Sequence, residues 1–336
     1  MSLSRALAFR RARGTGLTLV RSWPELDFEA VTTTDLKDRP SKVRAADFAR
    51  PLRPGLSLAE FAAALPRLLA AADLREAAAR LAAARRAGRP IILGLGGHVV
   101  KVGLGPVIIG LMERGFINGL AANGSVMVHD AEAALVGATS EDVTATLGEG
   151  RFGVTAQTGE LINRATQQAA ADGRGLGRAL GQALLEAAPP HLDLSLLAAA
   201  ARLDLPATIH TAIGTDVFNI HPEADGAALG AASFNDFRLF CRLTADLEGG
   251  VFLNLGSAVI LPEVFLKALT LVRNLGHRVR DLTTINMDFI RHYRPSVNVV
   301  ERPTRDGGRG FYFLGHHEIM FPLLMALALE RGESDD

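Results

Sequence analysis

The reactive groups of this chain cluster where strands should give way to loops. They are His129-Asp130, His210 with Thr215-Asp216 and His221, Asn254 with Ser257, Asp288 with His292, and Gly315-His316-His317-Glu318. Loops at the carboxyl ends of strands are where α/β proteins hold such side chains. Five of the nine histidines (His129, His221, His292, His316, His317) fall there. Imidazole gains and loses a proton near neutral pH, so these five are the first candidates for acid–base work. His221 and His316 or His317 are the leading proton-transfer candidates, with Asp216 orienting cofactor or substrate. His129 and Asp130 come second, Asp130 on the cofactor side. His98, His191 and His277 read as surface or satisfied residues.

Two glycine-rich turns accompany them, Gly94-Leu95-Gly96-Gly97 and Gly249-Gly250 leading to Gly256-Ser257. Glycine lets backbone N–H groups approach an anion, and a following helix N-terminus adds a favourable field. Val99 occupies the third-glycine place after Gly94 and Gly96, so neither turn is a full dinucleotide fingerprint. A tight strand–helix turn without ligand is equally compatible with both. A metal site is a further reading of the same loops, because Asp130, Asp216 and Glu318 add oxygen ligands to imidazole nitrogens. The spacing argues against it. No H-x-x-x-H or H-x-H pair occurs, and the adjacent His316 and His317 would point apart in helix or strand. No metal ligands are therefore assigned, and metal-dependent hydrolysis is kept as an alternative. A catalytically inactive binding or assembly protein is the other.

The elements that must position these residues follow from periodicity. Residues 57–86 are Ala/Leu-rich with helical spacing, Ser57 and Glu60 forming a capping box and Pro66 a break. Arg89–Leu95, Phe116–Ala122, Pro206–Ala212, Gly250–Asn254 and Thr283–Asp288 are short apolar runs of the kind buried in parallel sheets. Helices are expected over residues 102–114, 158–171, 177–188, 234–247 (capped by Ser233) and from Ala258 to about Leu275. Strands alternating with helices over this length imply one α/β fold, a Rossmann-like doubly wound, mostly parallel sheet with helices on both faces. Residues 1–55, Arg- and Pro-rich, are expected to form an N-terminal helical arm docked on an α/β domain spanning 56–336.

Composition bounds the function. The 336 residues carry 36 basic and 36 acidic side chains, so no cationic surplus exists to neutralise phosphates and a nucleic-acid partner is not expected. One cysteine, Cys241, permits no internal disulfide and suits a reducing compartment. Residues 91–112 are apolar but interrupted by His98, Lys101 and glycines, well short of a membrane span. A cytoplasmic protein acting on a small molecule is expected, although five arginines without an acid in the first 21 residues resemble a transit peptide. The basic set is lopsided: four lysines (Lys37, Lys42, Lys101, Lys267) against 32 arginines.

The motifs, in order, resemble those of the deoxyhypusine synthase family, more closely its bacterial deoxyhypusine synthase-like members. IILGLGGHVVKVGL, LAANGSVMVHD, GRALGQALL, PATIHTAIGTD, GGVFLNLGSAVILPEV, TTINMD and GHHEIMFPLLMALAL carry the resemblance, from about Val43 to the C-terminus. It implies a Rossmann-like homotetramer that binds NAD, with sites built across a subunit interface. It also implies amine oxidation by hydride transfer, followed by capture of the product on an enzyme lysine as an imine. The cofactor contacts it implies are Gly97 and His98, Asn123, Gly124 and Ser125, Asp216, Gly256, Ser257 and Ala258, Asn286 through Asp288, and Gly315 with His316.

The departures bear on mechanism. Where the family has paired acids, the chain has Met127-Val128-His129-Asp130, and Val259-Ile260-Leu261-Pro262-Glu263 replaces a Val-Val-Lys-His-His run. The Ser-Trp-Gly-Lys motif that supplies the imine lysine should fall within residues 296–303, which read SVNVVERP. No lysine follows Lys267, and arginine cannot replace a nucleophilic amine. Lys267 reads as a helix-surface residue and Lys101 as misplaced for the role. The expectation is an NAD-binding relative that acts on a small amine or polyamine-like substrate without a lysine-bound imine, and not a true deoxyhypusine synthase.

Overall fold

Apolar runs of four to six residues, too short for stable helices, are satisfied by pairing side by side. The computed structural model describes residues 25–333 and pairs six such runs: β1 (Ile91–Leu95), β2 (Gly119–Asn123), β3 (Ala207–His210), β4 (Val251–Leu255), β5 (Thr283–Asp288) and β6 (Arg309–Leu314). All neighbours are parallel, in the order β3-β2-β1-β4-β5-β6. β1, β3, β4 and β5 are buried at every position, as a sheet covered on both faces requires. β6 is the strand that sequence reasoning passed over. Only alternate residues, Phe311 and Phe313, are buried in it, and its apolar run is correspondingly diluted.

Helices fill the crossovers. Before the sheet come α1 (Leu58–Ala64) and α2 (Leu69–Arg86); Ser57 and Glu60 form the expected capping box, and the break falls at Pro66. After β1 follow α3 (His98–Lys101) and α4 (Gly105–Glu113); the helix expected over 102–114 is α4, which starts three residues later because left-handed Gly103 separates it from α3. Next are α5 (Gly124–Val136), α6 (Val143–Leu147), α7 (Ala156–Ala171), α8 (Leu176–Ala187) and α9 (Leu196–Arg202). The helix after β3, α10 (Gly226–Ala245), starts eight residues earlier than expected. Its cap is Asp225, while Ser233 lies inside it and bridges Thr211 N and Ile209 O of the β3 end. The last helices are α11 (Ile260–Asn274), α12 (Tyr293–Pro295), a π-turn at Ser296–Glu301, and α13 (His317–Glu333).

Alternate residues of each strand feed two separate cores. Ile91, Leu93, Leu95, Val251, Leu253 and Leu255 pack with α2, α5, α8, α9 and α13 on one face. Ile92, Ala121 and Phe252 pack with α10 and α11 on the other, where Phe252 stacks on Phe265 with ring centroids 4.0 Å apart. Helices on both faces of a wholly parallel sheet make this a Rossmann-like, doubly wound α/β fold, as expected. The chain divides into two compact units, residues 1–45 and 46–336, and the sheet belongs to the second. In the first, Asp27 caps a 3-10 turn at Phe28–Ala30; the Arg-rich stretch expected to form the start of the arm lies outside the described residues. No described helix is long and apolar enough to cross a membrane.

Two buried carboxyl groups on helices α5 and α10 pin the starts of other helices. Asp130 accepts from Ser195 Oγ (2.6 Å), Leu196 N (2.6 Å) and Leu197 N (3.2 Å), fixing the N-terminus of α9. Asp236, fully buried on α10, accepts from Gly177 N (3.0 Å) at the start of α8 and from Ile209 N (2.8 Å) in β3, while its Oδ1 has no partner among the described residues. Burial outweighs these donors and pushes Asp130 up to about 6 and Asp236 up to about 7. A raised carboxyl pKa means the folded state holds more protons than the unfolded one. Stability is then highest below the unfolded pKa of about 4 and declines as pH rises towards 7, by up to about 1.4 kcal/mol per pH unit for each group. Urea unfolding as a function of pH should show this decline, and Asp236→Asn should flatten the part of it nearest pH 7.

Candidate functional site

The strand order reverses between β1 and β4, and the two loops that leave this point touch through their backbones. Gly96 N donates to Leu255 O (2.9 Å), and a β-carbon on Gly96 would collide with the carbonyl of Gly256. Gly256, left-handed at φ 68°, then turns so that its N–H reaches Met287 O at the end of β5 (3.1 Å). Gly97 is squeezed as well: a β-carbon there would lie 2.5 Å from Ser125 Oγ and 3.1 Å from His129 Cδ2. Contacts within the protein therefore require Gly96 and Gly97. Gly94 is not in the turn at all. It sits inside β1, where it leaves room for the Phe252 ring.

On the β2–β3 side of this crossing lies a cavity of about 150 Å³. Asn123, the last residue of β2, caps α5 by accepting from Val126 N (3.3 Å) and from Ser125 Oγ (2.9 Å). Ser125, His129 and Glu132 recur along one face of α5 at helical spacing, and all three border the cavity. His129 Nδ1 is 2.7 Å from Thr139 Oγ1, whose hydroxyl donates to Glu132 Oε2 (2.6 Å). Opposite stands Asp216, in contact with Gly124 and accepting from Ala212 N (3.1 Å); burial raises its pKa against that single donor. Lys101 of α3 and Glu141 complete the charged lining, Glu141 tied to Gly153 N (2.9 Å).

On the β4–β6 side lies a second group. His98 is exposed and leans on His317 and Phe289, with ring centroids 5.5 and 6.0 Å apart. His317, buried at the start of α13, approaches Met287 O with Nε2 (3.3 Å), and Asp288 Oδ1 is 4.0 Å from the same nitrogen. Burial lowers the His317 pKa, with Asp288 opposing. Asp288 Oδ2 also faces His292 Nε2 at 3.7 Å. Asn286 is fully buried and accepts from Asn254 Nδ2 (2.6 Å). Ser257 Oγ accepts from Leu261 N in the first turn of α11, with Ala258 between them, and Gly315 follows β6. His316 is exposed, 3.9 Å from Glu318.

The structure thus brings Ser125, His129 and Asp216 to one cavity, with Gly97 and Gly124 packed against them, and His98, Asp288, Gly256, Gly315, His316 and His317 to the adjoining rim. Gly97 and His98, consecutive in the chain, link the two. His221 belongs to neither: its ring packs on Gly159 behind the cavity wall and its Nδ1 accepts from Glu223 N (3.3 Å). Asp130 also points away, because one step along a helix turns a side chain by about 100°, and its oxygens are spent on α9. Sequence reasoning missed Glu132 and Thr139 and set Lys101 aside. The signal for Glu132 was present as Ser125-x-x-x-His129-x-x-Glu132, the one-face spacing of a helix. Thr139 carried none, being brought back by the turn after α5. Among the described residues no group of three or more His, Cys, Asp or Glu is placed to hold a metal ion.

Adding a methyl group tests how tightly the crossing is built. Gly96→Ala should destabilise the protein by about 1–3 kcal/mol in urea unfolding, because backbone must shift. Gly97→Ala should cost less, since the new methyl meets the side chains of Ser125 and His129 rather than backbone.

No protein-family model matches the chain, and no curated protein matches it. Solved structures do resemble it. AgrE in a ternary complex with ornithine and NAD+ superposes with a TM-score of 0.50 at 13% identity, covering 79% of this chain and 34% of that one. Unliganded AgrE gives 0.50 at 14% identity, covering 77% and 32%. A candidate deoxyhypusine synthase from Entamoeba histolytica gives 0.45 at 12% identity, covering 84% and 96%, a superposition too loose to carry an argument. This chain spans about a third of the length of AgrE. What it shares with these proteins is the fold.

Proposed function

We propose that this chain binds NAD along the carboxyl rim of its sheet and oxidises a small amine held in the adjoining cavity, without a lysine-bound imine. One observation carries the reading. At the point where strand order reverses, which is where doubly wound sheets take their ligands, the β1–β4 crossing is flanked by a cavity lined with acid–base groups. The NAD+ complex of AgrE, a protein of like fold, is in keeping with it.

The residues present fit such a cofactor. The long helix α13 begins on this rim, beside Gly315 and Gly256, and its first N–H groups suit a pyrophosphate. His98 and His316 are exposed there as further donors. NAD would supply a hydride acceptor. The rest falls to the chain. Glu132, Glu141 and Asp216 draw a cationic amine into the cavity, and pairing with it offsets the burial that raises the Asp216 pKa. His129 then accepts a proton from it.

The lysines are consistent with a route that forms no imine on the enzyme. Nucleophilic lysines are desolvated in apolar surroundings or placed beside another cation. Lys101 is exposed among carboxylates, and Lys267 is ion-paired with Glu263 on α11. The π-turn at Ser296–Glu301, where the family motif would supply its lysine, instead ties Asn298 to Glu263 (2.9 Å).

Thermal unfolding with increasing NAD tests the cofactor. Stabilisation should follow its binding, about 2.7 kcal/mol at a hundredfold excess over Kd, and no shift at millimolar NAD contradicts the proposal. With aliphatic diamines present, reduced nicotinamide should accumulate, and His129→Gln should slow this by on the order of 10²–10⁴. Borohydride added during turnover should leave Lys101 unmodified; an alkylated Lys101 would show that the imine route is used after all.

A further inference from the structure

We infer that Thr139 and Glu132 lock His129 in the tautomer that carries its proton on Nδ1, leaving Nε2 bare as the proton acceptor of the cavity. The inference deepens the reading of this cavity and rests on it only for the identity of the proton donor. The lock itself follows from hydrogen-bond chemistry.

Glu132 is the anchor. Burial works against its charged form, but His129, Thr139 and the Ser140 N–H together outweigh this and hold its pKa below the usual carboxylate range. An ionised carboxylate only accepts hydrogen bonds. The 2.6 Å contact between Thr139 Oγ1 and Glu132 Oε2 must therefore use the single hydroxyl proton of Thr139. The oxygen of that hydroxyl is left with lone pairs alone, so across the 2.7 Å contact His129 Nδ1 must be the donor. A neutral imidazole has one N–H, and with it committed to Thr139 the lone pair resides on Nε2.

Geometry aims that lone pair usefully. Nε2 lies on the ring edge shared with Cδ2, the atom that faces Gly97, away from Thr139 and towards the Ser125 end of α5. The charged groups around the ring are Glu132 on the same helix, Lys101 of α3, Glu141 from the loop before α6, and Asp216 from the loop after β3. When Nε2 takes a proton from a bound ammonium, the products are a free amine and an imidazolium. Glu132 Oε2, 3.7 Å from Nδ1, offsets the new charge while the Nδ1–Thr139 bond stays as it was. Thr139 and Glu132 are positioning residues: neither needs to touch the amine. Because the lock comes from a turn ten residues beyond His129, it also ties the ring to the end of α5, where left-handed Gly137 reverses the chain.

The test is nitrogen-15 NMR of the full chain labelled in histidine, without NAD and near neutral pH, with His129→Gln identifying the resonances. The wild-type ring should show a protonated Nδ1 and a bare Nε2, and Thr139→Ser should keep this pattern. Thr139→Val removes the acceptor, so the ring should move towards the Nε2–H form that free histidine prefers. Glu132→Ala should do the same by freeing the Thr139 hydroxyl to donate to Nδ1. A wild-type ring protonated on Nε2 overturns the inference whatever the variants do, and so does an unchanged tautomer in a folded Thr139→Val protein. A locked ring without stabilisation by NAD would leave the relay standing and remove the redox reading; NAD stabilisation with an Nε2–H ring would do the reverse.

Discussion

The crossing of Gly96 over Gly256 is the constraint on which the site depends. Two neighbouring parallel strands send their chains to opposite faces of the sheet at this point, and the departing loops are in backbone contact. Only residues without a β-carbon permit it. Because Gly96 is held there, Gly97 is delivered against Ser125 and His129 on one side and His98 against His317 and Phe289 on the other. The cavity and the rim are therefore set by one turn. The glycines usually read as making room for a dinucleotide are here required by the protein itself, and the ligand-binding capacity lies in what they bring together.

This arrangement divides labour in a physically sensible way. The β2–β3 side carries carboxylates and an imidazole oriented by a hydroxyl, the equipment for attracting a cation and moving a proton. The β4–β6 side carries exposed histidines and the start of a long helix, the equipment for an anion. The proposed oxidation of an amine with a dinucleotide would use both, side by side. The π-turn at Ser296–Glu301 contains no lysine, in keeping with the proposed route that forms no imine on the enzyme.

Much of the fold was legible in the sequence because burial writes itself into apolar runs. TTINMD became β5 with the bounds expected, and the Ser57–Glu60 capping box formed as read. β6 was illegible because only Phe311 and Phe313 of its six residues are buried. The start of α10 was misplaced because Ser233 has the residue type of a cap, whereas its hydroxyl is engaged with β3 and Asp225 caps the helix. At the candidate site, the glycine turns and most of the strand-end polar residues do lie at the carboxyl edge of the sheet. Assigning roles failed where it depended on direction: His129 and Asp130 are neighbours in sequence yet serve a cavity and a helix cap. Thr139 could not be found at all, since no local pattern announces which hydroxyl a turn will bring back to a histidine.

A crystal structure of the chain soaked with NAD and an aliphatic diamine tests the central claim most directly. The account predicts dinucleotide density along the rim formed by Gly97, Gly256 and the start of α13, with the amine in the cavity within hydrogen-bonding distance of His129 Nε2. Density for either ligand at the opposite, amino-terminal edge of the sheet, or an amine bound away from His129, would contradict it.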